Sequence, residues 1–437
     1  MPWLSPGVWC LAVCGFLFGL AKSQAYSRAV YVGGFAQCMA MVFILYGVLA
    51  LYPRRQVMFR PGTLALYSLV VVWSVIVTFH GFRLEYRYIR DLWGAPYGAW
   101  ALLMPAVMIL GGSLSVWRRL FGIVGVMCVV LVPALIVGIA IGFRTEFGLA
   151  AAAPQILLFW SYLPHGRRGF VLFATLVTLF FAVMWSARTD VLTCGLLLLS
   201  AVFIEFFRQD RWRSKRQTAI LLVVSCAFVL GLYMTTVREI PGAPRWVNVR
   251  LSKFFDEATV NTRVVKGHNL YTAFLQDFTA SELLVGRGAM GTYSVDLHLA
   301  DRGNLTKQRY QVECGYLQIV MNGGLILLAG FLCLVVPSIY LGIFRTQNLV
   351  TRACALIIVV RLVAMVPFGL PVTRVEYFIF WLAVGCCWSP VLRRVSETEM
   401  ARYLGGDANS FRVRTRGNAD RAFIVHQCGR RRPLGSR

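Results

Sequence analysis

The chain has 437 residues, of which 58% are hydrophobic and only 14% charged. A soluble domain carries about 25% charged residues, so a soluble enzyme or binding module is excluded and the chain reads as a polytopic membrane protein. Its formal net charge of +25 suggests nucleic acid at first sight, but basic residues of membrane proteins gather on cytoplasmic loops and meet anionic headgroups. Membrane lipids, and no nucleic acid, are the expected partners.

A helix needs about 20 apolar residues to cross the hydrocarbon core. On that measure the sequence predicts spans at Gly7 to Ala21, Val30 to Tyr52, Leu64 to Phe82 and Tyr97 to Leu114. Five more run from Leu120 to Phe143, Gly148 to Leu163, Gly169 to Trp185, Val191 to Phe207 and Thr218 to Thr236. The last three are Cys314 to Phe344, Ala353 to Leu370 and Glu376 to Leu392, which makes an all-α protein of twelve spans. The organisation is therefore nine spans over 1–237, a soluble loop over 238–313, three spans over 314–392 and a basic tail over 393–437. The tail, with Gly405-Gly406 and Arg430-Arg-Arg432-Pro, reads as a disordered cytoplasmic segment near acidic lipid.

Charge sets the orientation. With the N-terminus inside, Arg54, Arg55 and Arg60, then Arg118 and Arg119, Arg167 and Arg168, the run from Arg208 to Arg216, and Arg345 and Arg352 all fall on one side. That side is cytoplasmic by the positive-inside rule, and both termini lie there. The loop from Arg238 to Glu313 then faces out. Ala21-Lys-Ser23-Gln-Ala25 has the small residues of a cleavage site, but Met1 to Gly7 lacks the positive charge of a secretory n-region, so the first span is expected to be retained. Most of the 12 cysteines lie in or beside apolar runs and the interval Arg238 to Tyr310 has none, so they read as small packing residues rather than disulfides or metal ligands.

Four groups stand out from the apolar background. Ser186-Ala-Arg188-Thr-Asp190 puts an arginine and a carboxylate at the outer membrane edge, where a snorkelling arginine or a local pair is the alternative. Asn261 is a plausible N-cap for a helix carrying Val264, Tyr271, Phe274, Leu275 and Phe278 on one face, which puts Arg263 in the first turn. A helix N-terminus beside a guanidinium suits a diphosphate; the alternative is an amphipathic helix on the bilayer surface. Val285-Gly-Arg-Gly288 with Gly291 permits a tight turn or a close backbone approach. Glu313-Cys-Gly315-Tyr316-Leu, followed by Asn322-Gly-Gly324, opens the tenth span, where partial desolvation would raise the pKa of Glu313 and help it accept a proton. Two further features complete the set. Arg83, Arg87 and Arg90 recur at helical spacing and either gather anionic substrate or lie on an interfacial helix. Arg361, placed midway along the eleventh span, needs a partner or a water-filled cavity, with Arg374 and Glu376 nearby in sequence.

The order of these features resembles the O-antigen ligase and polymerase superfamily. The shared layout is twelve spans, an arginine after the seventh, a large outer loop with an arginine, an amphipathic helix and Gly-x-Gly, then Gly-Tyr-Leu-Gln-Ile…Gly-Gly-Leu-Ile. The resemblance covers nearly the whole chain in layout and the stretch Ser186 to Ile326 in motifs. It implies a GT-C-like fold and metal-independent, inverting glycosyl transfer, without a cofactor, outside the bacterial cytoplasmic membrane. The donor is a glycan on undecaprenyl diphosphate, and a flippase and a chain-length regulator of the same pathway are implied partners. Arg188 and Arg263 would neutralise the diphosphate, with Glu313 as the third catalytic residue. Arg83, Arg87, Arg90, Asp190, His268, Gly286, Gly288, Tyr316 and Arg361 would line the substrate path, Asp190 and His268 being further candidates to take the acceptor proton. Ligases of the family commonly carry a histidine where Glu313 stands, and the acidic residue looks closer to the polymerase branch. Polymerase is the first expectation, ligase the second, and a transporter with a polar pathway the alternative of another class.

Overall fold

The computed structural model describes residues 3–22, 29–80, 82, 84–140, 152–163, 165–184, 188–208, 277–299, 303–309, 312, 314–365 and 371–404. The described elements of the first half are all helical: α1 (Leu4–Lys22), α2 (Ala29–Leu51), the short α3 (Arg55–Met58), α4 (Pro61–Phe79) and α5 (Tyr86–Gly94). Then come α6 (Ala99–Leu103), α7 (Met108–Gly111), α8 (Leu114–Ala140), α9 (Ala152–Leu157), α10 (His165–Met184) and α11 (Arg188–Arg208). The loop supplies α12 (Ala280–Val285) and the strands β1 (Tyr293–Leu299) and β2 (Gly303–Arg309). The chain returns through α13 (Gly315–Phe344), α14 (Leu349–Ala364), α15 (Val375–Trp388), α16 (Pro390–Arg394) and α17 (Glu397–Leu404).

The centre of the bundle is α15. Every residue from Val375 to Cys387 is buried, as a helix apolar on all sides requires, and α7, α9, α13 and α14 pack around it. Contact with α7 is backbone to backbone, because a Cβ on Gly385 would lie 1.9 Å from the Met108 carbonyl oxygen and one on Gly111 2.0 Å from that of Leu382. Small residues permit this approach in membrane bundles. Phe331 of α13 meets Phe380 and Trp381 at centroid separations of 6.1 and 5.8 Å.

Outward faces are apolar and several inward ones polar. Tyr31, Phe35, Tyr46 and Leu49 of α2 and Leu69, Val72 and Phe79 of α4 are exposed, whereas Gln37, Ser74, Thr78, Gln318 and Asn322 are buried. Apolar patches of this extent need a hydrocarbon partner. Tyr31–Met58, Pro61–Phe79 and Gly315–Phe344 are long and apolar enough to cross a membrane; Tyr88–Gly94 with Ala99–Gly111, bent by 42°, makes a fourth if that pair is one broken span. Shorter apolar helices are Leu4–Gly15, Val191–Val202 and Val375–Trp388.

Several elements differ from the sequence reading. The stretch read as the fourth span is broken into α6, a 3-10 turn over Met104–Val107 and α7, because Pro105 has no amide to donate. The sixth is reduced, among the described residues, to the buried α9 and a 3-10 turn at Trp160–Tyr162. The eleventh ends at Ala364, so Arg361 stands in the last turn of its helix rather than midway, where a cation complements the helix dipole. The ninth expected span lies outside the described residues. The mostly helical chain also carries one small hairpin: β1 and β2 pair antiparallel, Tyr293 opposite Arg309 and Leu299 opposite Gly303. The alternation Tyr-Ser-Val-Asp-Leu-His-Leu over 293–299 is the period-two signal of a strand.

The long helix α13 is interrupted at Gly324, whose φ of 69° and ψ of −173° lie outside the helical region. A Cβ there would stand 2.0 Å from the Leu284 carbonyl oxygen. Gly324→Ala is expected to cost more than about 2 kcal/mol through left-handed strain and steric conflict, seen as a lower melting temperature of the detergent-purified protein. Gly62→Ala, where nothing lies within 4 Å of the added carbon, should leave stability at or above wild type; equal behaviour of the two variants would contradict the interruption.

Candidate functional site

Among the described residues, the loop meets the bundle through one short helix and the turn that follows it. Thr279 caps α12 with a capping box: its hydroxyl accepts from the Glu282 amide at 3.3 Å, and its own amide donates to the Glu282 carboxylate at 2.9 Å. Asp277 lies just ahead of the cap and Arg287 just beyond the helix. The Arg287 guanidinium pairs with Asp277 at 2.6 Å and Glu282 at 3.0 Å, donates to the Thr292 carbonyl at 2.7 Å, and lies over the Phe278 ring at 4.1 Å. A planar five-donor group is suited to such multiple anchoring. Arg287 is therefore consumed by the loop itself.

The glycines on either side of Arg287 seat the turn on the interruption in α13. Gly286 and Gly288 have φ of 86° and 88°, and a Cβ on Gly286 would meet the Asn322 carbonyl oxygen at 2.5 Å. At that approach the Arg287 amide donates to the Met321 carbonyl at 2.7 Å and the Gly288 amide to that of Asn322 at 2.9 Å. From the other side the Trp73 indole of α4 donates to the Gly323 carbonyl at 2.9 Å. Three consecutive carbonyls beside the interruption thus find donors outside their own helix. Gln318 and Asn322, one turn apart and buried, are joined side chain to side chain at 3.0 Å, and Gln318 also accepts from the Val312 amide at 2.9 Å.

The start of α13 meets the end of α14 and the start of α15. The Gly315 amide donates to the Met365 carbonyl at 2.8 Å and the Tyr316 hydroxyl to that of Leu362 at 2.8 Å, which satisfies carbonyls that a helix C-terminus leaves open. Arg361 and Glu376 form a buried ion pair at 3.5 Å, with the Arg361 guanidinium 5.4 Å from the Tyr377 ring centroid. The Gln155 amide donates to the Glu376 carbonyl at 3.3 Å.

The expected site residues fall into four sets. Gly286, Gly288, Tyr316 and Arg361 are gathered at this end, the first pair through the turn and the second through the helix junction. Arg188 and Asp190 open α11, which packs along α14, while their side chains lie outside the described residues. Arg83, Arg263, His268 and Glu313 lie outside them altogether. Arg87 and Arg90 stand on α5, which begins at Tyr86; Arg90 pairs with Asp91 at 2.6 Å. Sequence reasoning missed Arg287, Asp277, Glu282 and Trp73. Thr279-Ala-Ser-Glu282 is a capping-box pattern visible in the sequence, whereas nothing there marks the indole as a donor to a helix 250 residues away.

No protein-family model matches this chain, no curated protein is similar to it, and no solved structure matches its fold. The class defined by its own residues is a mostly helical protein with apolar helices fit to span a membrane, and with a loop docked on an interrupted helix.

The Arg287 hydrogen bond first, and the Thr279 amide second, hold the Glu282 carboxyl well below its ordinary 4.5, at about 2. A lowered folded-state pKa means that the stabilisation is complete above the unfolded value and is lost as the pH falls from 4.5 toward 2. Wild type should therefore melt above Glu282→Gln at pH 7, with the gap closing as the pH is lowered past 4.5. A gap independent of pH down to 3 would remove the ion pair as its source.

Proposed function

We propose that this chain is a polysaccharide polymerase of the bacterial cytoplasmic membrane, joining oligosaccharide repeat units carried on undecaprenyl diphosphate at the outer face. One observation carries the reading: the Val285-Gly-Arg-Gly288 turn sits directly on Asn322-Gly-Gly324. These two segments bear the motif resemblance and are separated by the β-hairpin in sequence, yet they make one backbone-to-backbone unit. The loop is thereby held at the head of the span that Glu313 precedes.

In this reading an acceptor hydroxyl attacks the anomeric carbon of the donor sugar from the face opposite the diphosphate. The glycosidic bond forms as the bond to the diphosphate oxygen breaks, and the lipid diphosphate leaves with both electrons of that bond. Arg188 and Arg263 neutralise the departing charge, since fixed cations aimed at developing negative charge lower such a barrier. The hydroxyl proton passes to Glu313. The Arg361–Glu376 pair and Tyr316 join the ends of α13, α14 and α15. In a low dielectric a paired, hydrogen-bonded charge is tolerated where a lone one is not.

A transporter is the second reading, because interrupted helices expose carbonyls to ions and substrates at mid-membrane. Here those of Met321, Asn322 and Gly323 already accept from Arg287, Gly288 and Trp73, which favours the enzyme.

The test is a purified protein supplied with lipid-linked repeat units. A ladder of lengthened lipid-linked glycans is expected; transfer of intact chains to lipid A core without a ladder would make it a ligase, and movement of substrate without bond formation a transporter. Arg188→Ala and Arg263→Ala should abolish the ladder, and Lys at either position should restore little because it lacks the two-pronged donor. Glu313→Gln should lower the rate by about 10²- to 10⁴-fold, the range of general acid–base catalysis, with donor binding little changed. Full activity in the Gln variant would leave the acceptor to be activated by another group, Asp190 and His268 first.

A further inference from the structure

At the far end of α13 from the docked loop, four arginines from three segments meet without a counter-charge among the described residues. Arg60 precedes α4, Arg345 follows α13, and Arg393 and Arg394 close α16. The backbone brings them together. The Arg393 carbonyl accepts from the Gln347 amide at 2.9 Å, its guanidinium donates to the Arg345 carbonyl at 3.3 Å, and α16 packs on α3, five residues before Arg60 at its start. Asn348 fixes the same corner by donating to the carbonyls of Leu392 and Val395 at 2.8 and 3.1 Å.

The local carboxylates are engaged elsewhere. Glu397 accepts from the Leu349 amide at 2.8 Å and from the Tyr162 hydroxyl, and Glu399 from the Ser396 amide and hydroxyl at 3.2 and 2.8 Å. None of the ion pairs among the described residues includes Arg60, Arg345, Arg393 or Arg394. Burial, and then the cations Arg60, Arg394 and Arg345, push the Arg393 guanidinium below its ordinary value. Among the described residues this is a concentration of positive charge with no balancing carboxylate.

A second observation specifies the ligand. Cys333, Val336, Tyr340 and Phe344 are exposed at helical spacing along α13 and form an apolar stripe that ends at Arg345. Tyr340 and Phe344 are in ring contact at 5.4 Å, and the Arg345 guanidinium stands 6.0 Å from the Tyr340 ring. Aromatic rings next to cations are the pattern of a membrane–water boundary. A ligand matching both features has an anionic phosphate head and a long apolar tail.

We propose that this corner binds the phosphodiester headgroup of an anionic phospholipid, held by Arg60, Arg345, Arg393 and Arg394, with an acyl chain along the Cys333–Phe344 stripe. Basic pockets between membrane helices take such headgroups. The site lies about 30 Å of helix from the docked turn, at about 1.5 Å for each residue from Gly324 to Phe344, and is independent of the glycan chemistry proposed above.

The full-length protein, delipidated in a neutral detergent, is titrated with phosphatidylglycerol, with phosphatidylcholine and with inorganic phosphate, and its melting temperature is followed. Phosphatidylglycerol should raise it saturably, with phosphatidylcholine and inorganic phosphate having little effect. The Arg345→Gln/Arg394→Gln variant, which alters two exposed side chains, should bind phosphatidylglycerol roughly tenfold or more weakly, on the basis of the attraction contributed per basic residue at an anionic surface. Arg402→Gln, on α17, should bind as wild type. An equal response to phosphatidylcholine, saturation by inorganic phosphate alone, or unchanged affinity in the double variant would each overturn the proposal.

Discussion

A helix interrupted within a low-dielectric environment leaves carbonyls without their usual amides, and each one left unsatisfied costs several kcal/mol. The interruption at Gly324 raises this demand, and the remainder of this end of the molecule is arranged around meeting it. Trp73 supplies one donor from α4, while Arg287 and Gly288 supply two from the loop. The turn approaches closely enough only because Gly286, Gly288 and Gly324 all adopt positive φ. A Cβ on Gly286 or Gly324 would meet backbone atoms at 2.5 Å or less. The loop is therefore a structural partner of the helix as well as a covering over it.

Arg287 shows how one side chain serves this constraint without touching α13 through its guanidinium. Its cation draws Asp277, Glu282 and the Thr292 carbonyl into one cluster, so the turn that presents the two amides is held from both sides. The capping box of Thr279 and Glu282 places one of those carboxylates. Such a network is strong because its members also satisfy one another. The same logic recurs at the helix junction, where Tyr316 and Gly315 close the end of α14 and Glu376 neutralises Arg361.

How much of this could be read from the sequence depends on whether the determinant was local. The apolar runs at Val30 to Tyr52, Leu64 to Phe82 and Cys314 to Phe344 correspond to α2, α4 and α13 within a few residues, because twenty or more consecutive apolar residues have few alternatives to a helix. Hydropathy alone passed over Pro105, which divides one expected span, and extended another past Ala364, which moved Arg361 from the last turn of its helix to the middle. The two glycine motifs were legible as places where backbone comes close, but not that each is the other's neighbour: their contact joins residues some 36 positions apart across a β-hairpin. The alternation at 293–299 was legible as a strand and was passed over for the helical pattern before it. The arginines at 188 and 263 and the carboxylate at 313 rest on their place in the sequence pattern and on the resemblance.

The division of labour within the loop has a mechanistic consequence. An enzyme that transfers a sugar from a lipid diphosphate must hold nucleophile, anomeric carbon and leaving group in line, and a misplacement of about 1 Å costs on the order of a hundredfold in rate. A transporter, by contrast, needs elements of low stability that open and close around the substrate. The docked turn is of the first kind: its backbone amides are spent, its arginine is paired, and its glycines have no room for a side chain. Its amides and its cation are engaged within the fold. In the proposed reading the turn is a rigid seat on α13, and the diphosphate chemistry falls to arginines outside it.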